Sequence, residues 1–206
     1  MNKTTWVKLA VGTAGAALLV GVAGVAVADD NYGDSDVDVS VTIEELVEPG
    51  VLAMTVEGTE ASLTENGSDE MIRQFTGSLP TVTITDTRTA DEIPEGAAWY
   101  VLGSASDFVG DADQPDIGAE HLGWAPRLID GGESGLVAAG DEVETVLDAP
   151  PSNVGLVDQE LFAMAADSGA IAGEGSWTAT ADLFLRTPAN IASGSYSATV
   201  TLSLFE

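Results

Sequence analysis

Apolar and polar residues alternate along much of this chain. Val37, Val39, Val41 and Ile43 share one face of an extended segment, with Asp38, Ser40 and Thr42 on the other. Period-two patterning of this kind predicts strands with one buried face. Val51 to Val56 forms a second such run after the Pro49-Gly50 turn, and Glu57 to Glu70 is acidic, with turn signals at Gly58 and Asn66-Gly67. Thr81 to Thr85 sets Val82 beside Ile84, and Ala98 to Ala105 carries Trp99, Tyr100, Val101 and Leu102. The C-terminal pair is the clearest. Trp177, Ala179, Ala181, Leu183 and Leu185 line one face; after a turn around Thr187 to Asn190, Tyr196, Ala198, Val200, Leu202 and Leu204 line another. Two strands with one apolar face each need a second sheet to cover them. Gln159 to Asp167 has good helix formers but also alternates, so periodicity alone leaves it open between helix and strand. Many short strands with Gly, Pro and Asn turns predict an all-β sandwich or barrel.

The first residues are of another kind. Lys3 and Lys8 precede an uncharged run from Leu9 to Ala28 that ends Ala26-Val27-Ala28, before Asp29-Asp30. A basic start, an apolar middle and a small-x-small exit predict a secretory signal peptide over 1–28, a flexible segment over 29–36 and one domain over 37–206. Cleavage would leave no membrane span in the mature chain.

Charge narrows the range of partners. The 206 residues carry 34 acids and 6 basic side chains, for a formal net charge of −28. Beyond the leader only Arg73, Arg88, Arg127 and Arg186 oppose the acids. Such a surface repels phosphate backbones and anionic lipid, which excludes nucleic acid and membrane surfaces as expected partners. Charged residues make up only 19% and apolar ones 45%, enough to build a core. The absence of cysteine removes disulfides, thiol catalysis, cysteine-ligated zinc and an N-terminal lipid anchor from consideration. Leu79-Pro80-Thr81-Val82-Thr83 has part of a sortase signal but sits mid-chain without its final glycine, so covalent wall anchoring is not expected.

An ordered set of pieces carries a resemblance. Leu79 to Arg88 ends in Asp86-Thr87-Arg88; Trp99-Tyr100-Val101-Leu102 follows; then come Ser106-Asp107-Phe108, Gly175 to Thr180, and Gly194 to Leu204 with Tyr196 near its start. In this order the chain resembles the WxL-type cell-surface domains of Gram-positive bacteria. Two positions depart from the strict motifs: Val101 stands in place of Leu in the first and Leu202 in place of Trp in the second. The resemblance spans roughly Leu79 to Glu206. It implies an immunoglobulin-like, antiparallel β-sandwich, here of about seven to nine strands. It also implies non-covalent attachment to peptidoglycan or another wall polysaccharide, and it favours the strand reading of Leu161 to Ala166.

Candidate chemistry is sparse. Trp99, Tyr100, Trp124 and Tyr196 are the wall-binding candidates, because flat aromatic faces stack on sugar rings; in sandwiches such residues are more often core. Trp124 lies in His121 to Arg127, where Pro126 argues against a central strand and predicts an edge or loop with an exposed indole. Asp107, Asp111, Asp113, Asp116 and Glu120 are oxygen donors at short spacing, the only calcium candidate, but no EF-hand pattern is present and a solvated charge run is the simpler reading. His121 is the single histidine, and neither Gly-x-Ser-x-Gly nor a phosphate-binding Gly-Lys-Ser/Thr loop occurs. Acids are too abundant for any pair to signal sugar hydrolysis. Arg88 and Arg127 are expected to hold carboxylates near turns. The chain therefore reads as a secreted, non-catalytic surface protein without a cofactor. A structural subunit donating Val37 to Ile43 by strand pairing with other surface proteins, and a calcium-dependent adhesion module, are the alternatives.

Overall fold

In a computed structural model the described residues are 40–42 and 48–206. The expected signal peptide and N-terminal segment, and all of the Val37 to Ile43 strand but its centre, lie outside them. Ser40, Val41 and Thr42 are exposed and belong to no sheet.

Twelve strands form among the described residues: β1 (Leu52–Val56), β2 (Thr64–Glu65), β3 (Ile72–Ser78), β4 (Val82–Asp86), β5 (Trp99–Ala105), β6 (Val109–Gly110), β7 (Leu122–Asp130), β8 (Val137–Ala139), β9 (Glu160–Ala165), β10 (Ser176–Pro188), β11 (Tyr196–Ser197) and β12 (Val200–Phe205). The count exceeds the expected seven to nine because β2, β6 and β11 are two-residue pairings. All pairings are antiparallel, and the fold is an all-β sandwich.

One sheet is organised around β10. Its first half pairs with β4 and its second with β3 along the same edge, while β7 covers the other edge. β3 and β4 thus form one long strand with a jog. Asp182 faces Ser78 and Ala179 faces Val82, so Leu79, Pro80 and Thr81 stand opposite only Thr180 and Ala181. That single extra residue is a bulge. Pro80 has no N–H to give the ladder there, and the gap is closed by Leu79 N–H donating to the Ala181 carbonyl (2.8 Å) and Thr180 Oγ1 donating to the Leu79 carbonyl (2.6 Å). β1 and β2 continue the sheet beyond β4 and β3. The second sheet runs β12-β5-β9-β8.

The core between the sheets is built from the alternation. Val82 and Ile84 of β4, Trp177, Ala179 and Ala181 of β10, Trp99 and Val101 of β5, and Phe162 and Ala163 of β9 are all buried. The Trp99 and Trp177 rings meet at 5.5 Å between centroids, and Trp124 meets Phe162 at 5.6 Å. Gly103 makes room for the Trp124 indole: a Cβ there would press on its six-membered ring at 2.5 Å and on Leu202 at 2.9 Å.

Several expectations change. Leu122 to Asp130 is a strand on a sheet edge, which tolerates Pro126, but its Trp124 is fully buried rather than exposed. The face from Tyr196 to Leu204 is not one strand. Tyr196–Ser197 pairs with β6 and Val200–Phe205 with β5. Glu160–Ala165 is a strand, as the resemblance favoured.

Arg88 ties the two sheets at one end. Its Nε and Nη2 grip both Asp86 oxygens (2.8 and 2.7 Å), while Nη1 and Nη2 reach Glu206, just past β12 (3.0 and 2.7 Å). Burial opposes ionisation of Asp86, but the Arg88 hydrogen bonds outweigh it and hold the carboxyl below its ordinary value.

Gly103→Ala should cost about 1–3 kcal/mol by overpacking and Trp124→Ala about 3–5 kcal/mol by leaving a cavity, both read by denaturant unfolding. Because Asp86 is more acidic when folded than when unfolded, its contribution is present above the unfolded carboxylate range, near pH 4, and is lost as pH falls further. Asp86→Asn, which strands the guanidinium, should cost about 3 kcal/mol at pH 7 and flatten the loss of stability below about pH 4.

Candidate functional site

A groove of about 540 Å³ opens at the other end of the sandwich from Arg88. It exists because the chain leaves β10 at Pro188 and arches back over the sheet before β11. Ala189 N–H donates to the Met71 carbonyl (2.8 Å) and Ile191 N–H to the Pro188 carbonyl (3.1 Å), which turns the arch. Gln114 then pins it: its Nε2 donates to the Ser193 carbonyl (3.2 Å), and Asp111 N–H donates to the Ser195 carbonyl (3.0 Å). Under the arch lie Phe75, Phe108, Ile117, Leu185 and Thr187; hydroxyls come from Ser62 on one side and Ser193, Ser195 and Ser197 on the other.

Tyr196 closes this groove, half-buried, with its hydroxyl donating to the Ala192 carbonyl at 2.9 Å. The phenol is thereby held by its own loop, leaving ring edge and face to the groove. Thr187 at the floor is fully buried and its hydroxyl has no hydrogen-bond partner among the described residues. An unpaired buried hydroxyl carries a desolvation cost.

Arg73 is the cation of the groove wall, and it is already neutralised. Its Nε and Nη2 make a two-pronged contact with Glu65 (2.9 and 2.7 Å), and its guanidinium lies 5.1 Å from the Phe75 ring centre. The Arg73 hydrogen bonds, followed by that from Ser68, pull the Glu65 carboxyl down to about 2. The groove thus offers aromatic and hydroxyl surface with little free positive charge.

The other sequence candidates lie elsewhere. Trp99 and Trp124 are fully buried in the core, so neither presents a face for stacking; the inward phase of their strands overrides the aromatic signal. Tyr100 points out of the second sheet, 38% exposed, and stacks on Phe205 (5.4 Å, 18° between planes), on a surface separate from Tyr196. The acidic loop does not converge. Asp107 Oδ1 accepts from Ala119 N–H (2.9 Å), Asp111 Oδ1 accepts from Gln114 (3.3 Å), and Asp113 and Asp116 are exposed, Asp113 with a positive φ of 56°. Among the described residues no three His, Cys, Asp or Glu side chains are grouped to hold a metal. His121 Nδ1 lies 2.7 Å from the Arg186 carbonyl, and Arg186 itself bridges Asp148 and Gln74. Arg127 meets Asp182 loosely at 3.7 Å, both exposed.

Sequence reading missed Phe75, Thr187 and the serines of the arch as partners of Tyr196. Phe75 sits in Ile72-Arg-Gln-Phe-Thr-Gly-Ser78, which barely alternates, and Ser193 to Ser195 reads as an ordinary turn.

No family model matches the chain, and no curated protein matches it. A solved structure of a family 123 glycoside hydrolase from Clostridium perfringens, described for glycolipid glycan hydrolysis, is 13% identical over 65% of this chain, with a TM-score of 0.30. The aligned part is 18% of that enzyme, and a likeness this slight carries no argument.

Carboxyl NMR should find Glu65 titrating near pH 2. In Arg73→Ala it should return toward about 4.3, the ordinary glutamate value. A normal midpoint in the parent protein would show that the pair does not form in solution.

Proposed function

We propose that this protein is an exported, non-catalytic surface protein that associates non-covalently with cell-wall polysaccharide, through the groove closed by Tyr196. The observation that carries the reading is the composition of that groove: ring surfaces of Tyr196, Phe75 and Phe108 set among serine hydroxyls, in about 540 Å³. Sugar rings present the matching chemistry, with apolar C–H faces for stacking and hydroxyls for hydrogen bonds. The leader-like start and the ordered motifs from Leu79 to Leu204 support the same reading. The net charge of −28 disfavours anionic wall polymers and leaves peptidoglycan or a neutral glycan as the expected ligand.

Co-sedimentation with purified wall sacculi tests this. The parent protein should pellet with them. Tyr196→Ala should weaken retention about 2- to 10-fold, the worth of one aromatic contact, while keeping the β-sheet circular dichroism of the parent. Tyr100→Ala, on the other surface, should leave retention intact. A parent protein that stays in the supernatant would overturn the reading.

A further inference from the structure

We infer that the free edge of β12 is a self-association seam, on which two copies of this chain pair antiparallel and join their four-stranded sheets into one. The sheet margins differ. β7 carries Pro126 and Arg127, β8 is three residues long and β2 only two, all features that discourage strand addition, and the uncharged edge strand β1 is five residues long, one fewer than β12. β12 has none of them. Val200-Thr-Leu-Ser-Leu-Phe205 is free of charge and of proline, and β5 is its single strand partner among the described residues.

The ladder shows which backbone groups are left over. Ser106 N–H donates to the Thr199 carbonyl (2.9 Å), one step before the Val200–Ala105 pair. In an antiparallel ladder alternate residues bond to the same neighbour, so 199, 201, 203 and 205 face β5. The N–H and C=O groups of Val200, Leu202 and Leu204 therefore point away from it. Beside them an apolar groove of about 370 Å³ runs between Val200 and Leu202 on one side and Met54 and Val56 on the other, floored by Leu79 and Leu183.

A second β12 fits this edge. Centred on Leu202, an antiparallel pair sets Leu202 against Leu202, Val200 against Leu204 and Thr201 against Ser203, so that apolar meets apolar inside and hydroxyl meets hydroxyl outside. Each of the three outward-facing residue pairs exchanges two hydrogen bonds, about six in all. The strands bring no charge to the seam, so a copy is a better occupant than a partner that would add acids to it. The two chains still repel at a distance, each carrying −28. Salt shortens that repulsion to about 10 Å or less from 0.1 M upward, so pairing should strengthen with ionic strength, opposite to association through ion pairs. The groove beside the seam adjoins the Tyr196 groove, with Ala61, Leu63, Phe108 and Ala198 lining both.

Sedimentation velocity on the purified protein, together with amide hydrogen exchange, tests the inference. A monomer–dimer equilibrium is expected whose dissociation constant falls about tenfold between 0.05 and 0.5 M NaCl as screening rises. The amides of Val200, Leu202 and Leu204 should become protected with dimer fraction. Thr201→Glu adds a charge on the solvent face, and Leu202→Pro removes an outward N–H without costing a bond to β5; each should abolish the dimer. Dimers that persist in both variants, or a monomer at every concentration and salt, would overturn it. So would protection of those three amides in a monomer, which would mean that another segment holds the edge.

Discussion

Two indoles meeting between the sheets fix this sandwich. Trp99 projects from β5 and Trp177 from the start of β10, and their contact at 5.5 Å sets the distance and phase of the two layers. Once that phase is set, Val82 and Ile84 fall inward from β4 and Ala163 and Ala165 from β9, and small residues at Ala179, Ala181 and Gly103 leave space for the large rings. In a close-packed interior such size matching decides whether the layers come together in one way or several.

The fold was legible where a strand is buried on one face only. β1, β4, β5 and β10 follow the alternation of their residues, and the inward phase of Trp177 is evident from its neighbours. It was less legible where tertiary pairing decides. β3 has little alternation because it is half-buried on both faces, wedged between β2 and β10. The terminal alternating run reads as one strand, yet Tyr196 and Ser197 are drawn to β6 while Val200 onward pairs with β5. Pattern shows which residues share a face, not which neighbour a face will find.

The candidate site shows the same limit. Aromatic identity alone picked four residues; burial removes Trp99 and Trp124 from the surface and parts Tyr100 from Tyr196. What makes Tyr196 a candidate is its company under the arch, drawn from β3, β10 and the loop before β11, segments far apart in sequence. The scarce cations were easier to read. Arg88 sits two residues from Asp86, and among so many acids a lone arginine near a turn finds a carboxylate.

The Arg88 knot also gathers distant parts of the sequence at one end. Gly50 packs flat on the Thr87–Arg88 backbone, with no room for a Cβ, and Glu206 is held by the same arginine. Both exits of the sandwich therefore share one pole, while the arch over Tyr196 crowns the opposite one, separated by most of the 13-residue length of β10, about 40 Å if fully extended. Whatever binds beneath the crown is thereby kept remote from both Gly50 and Glu206.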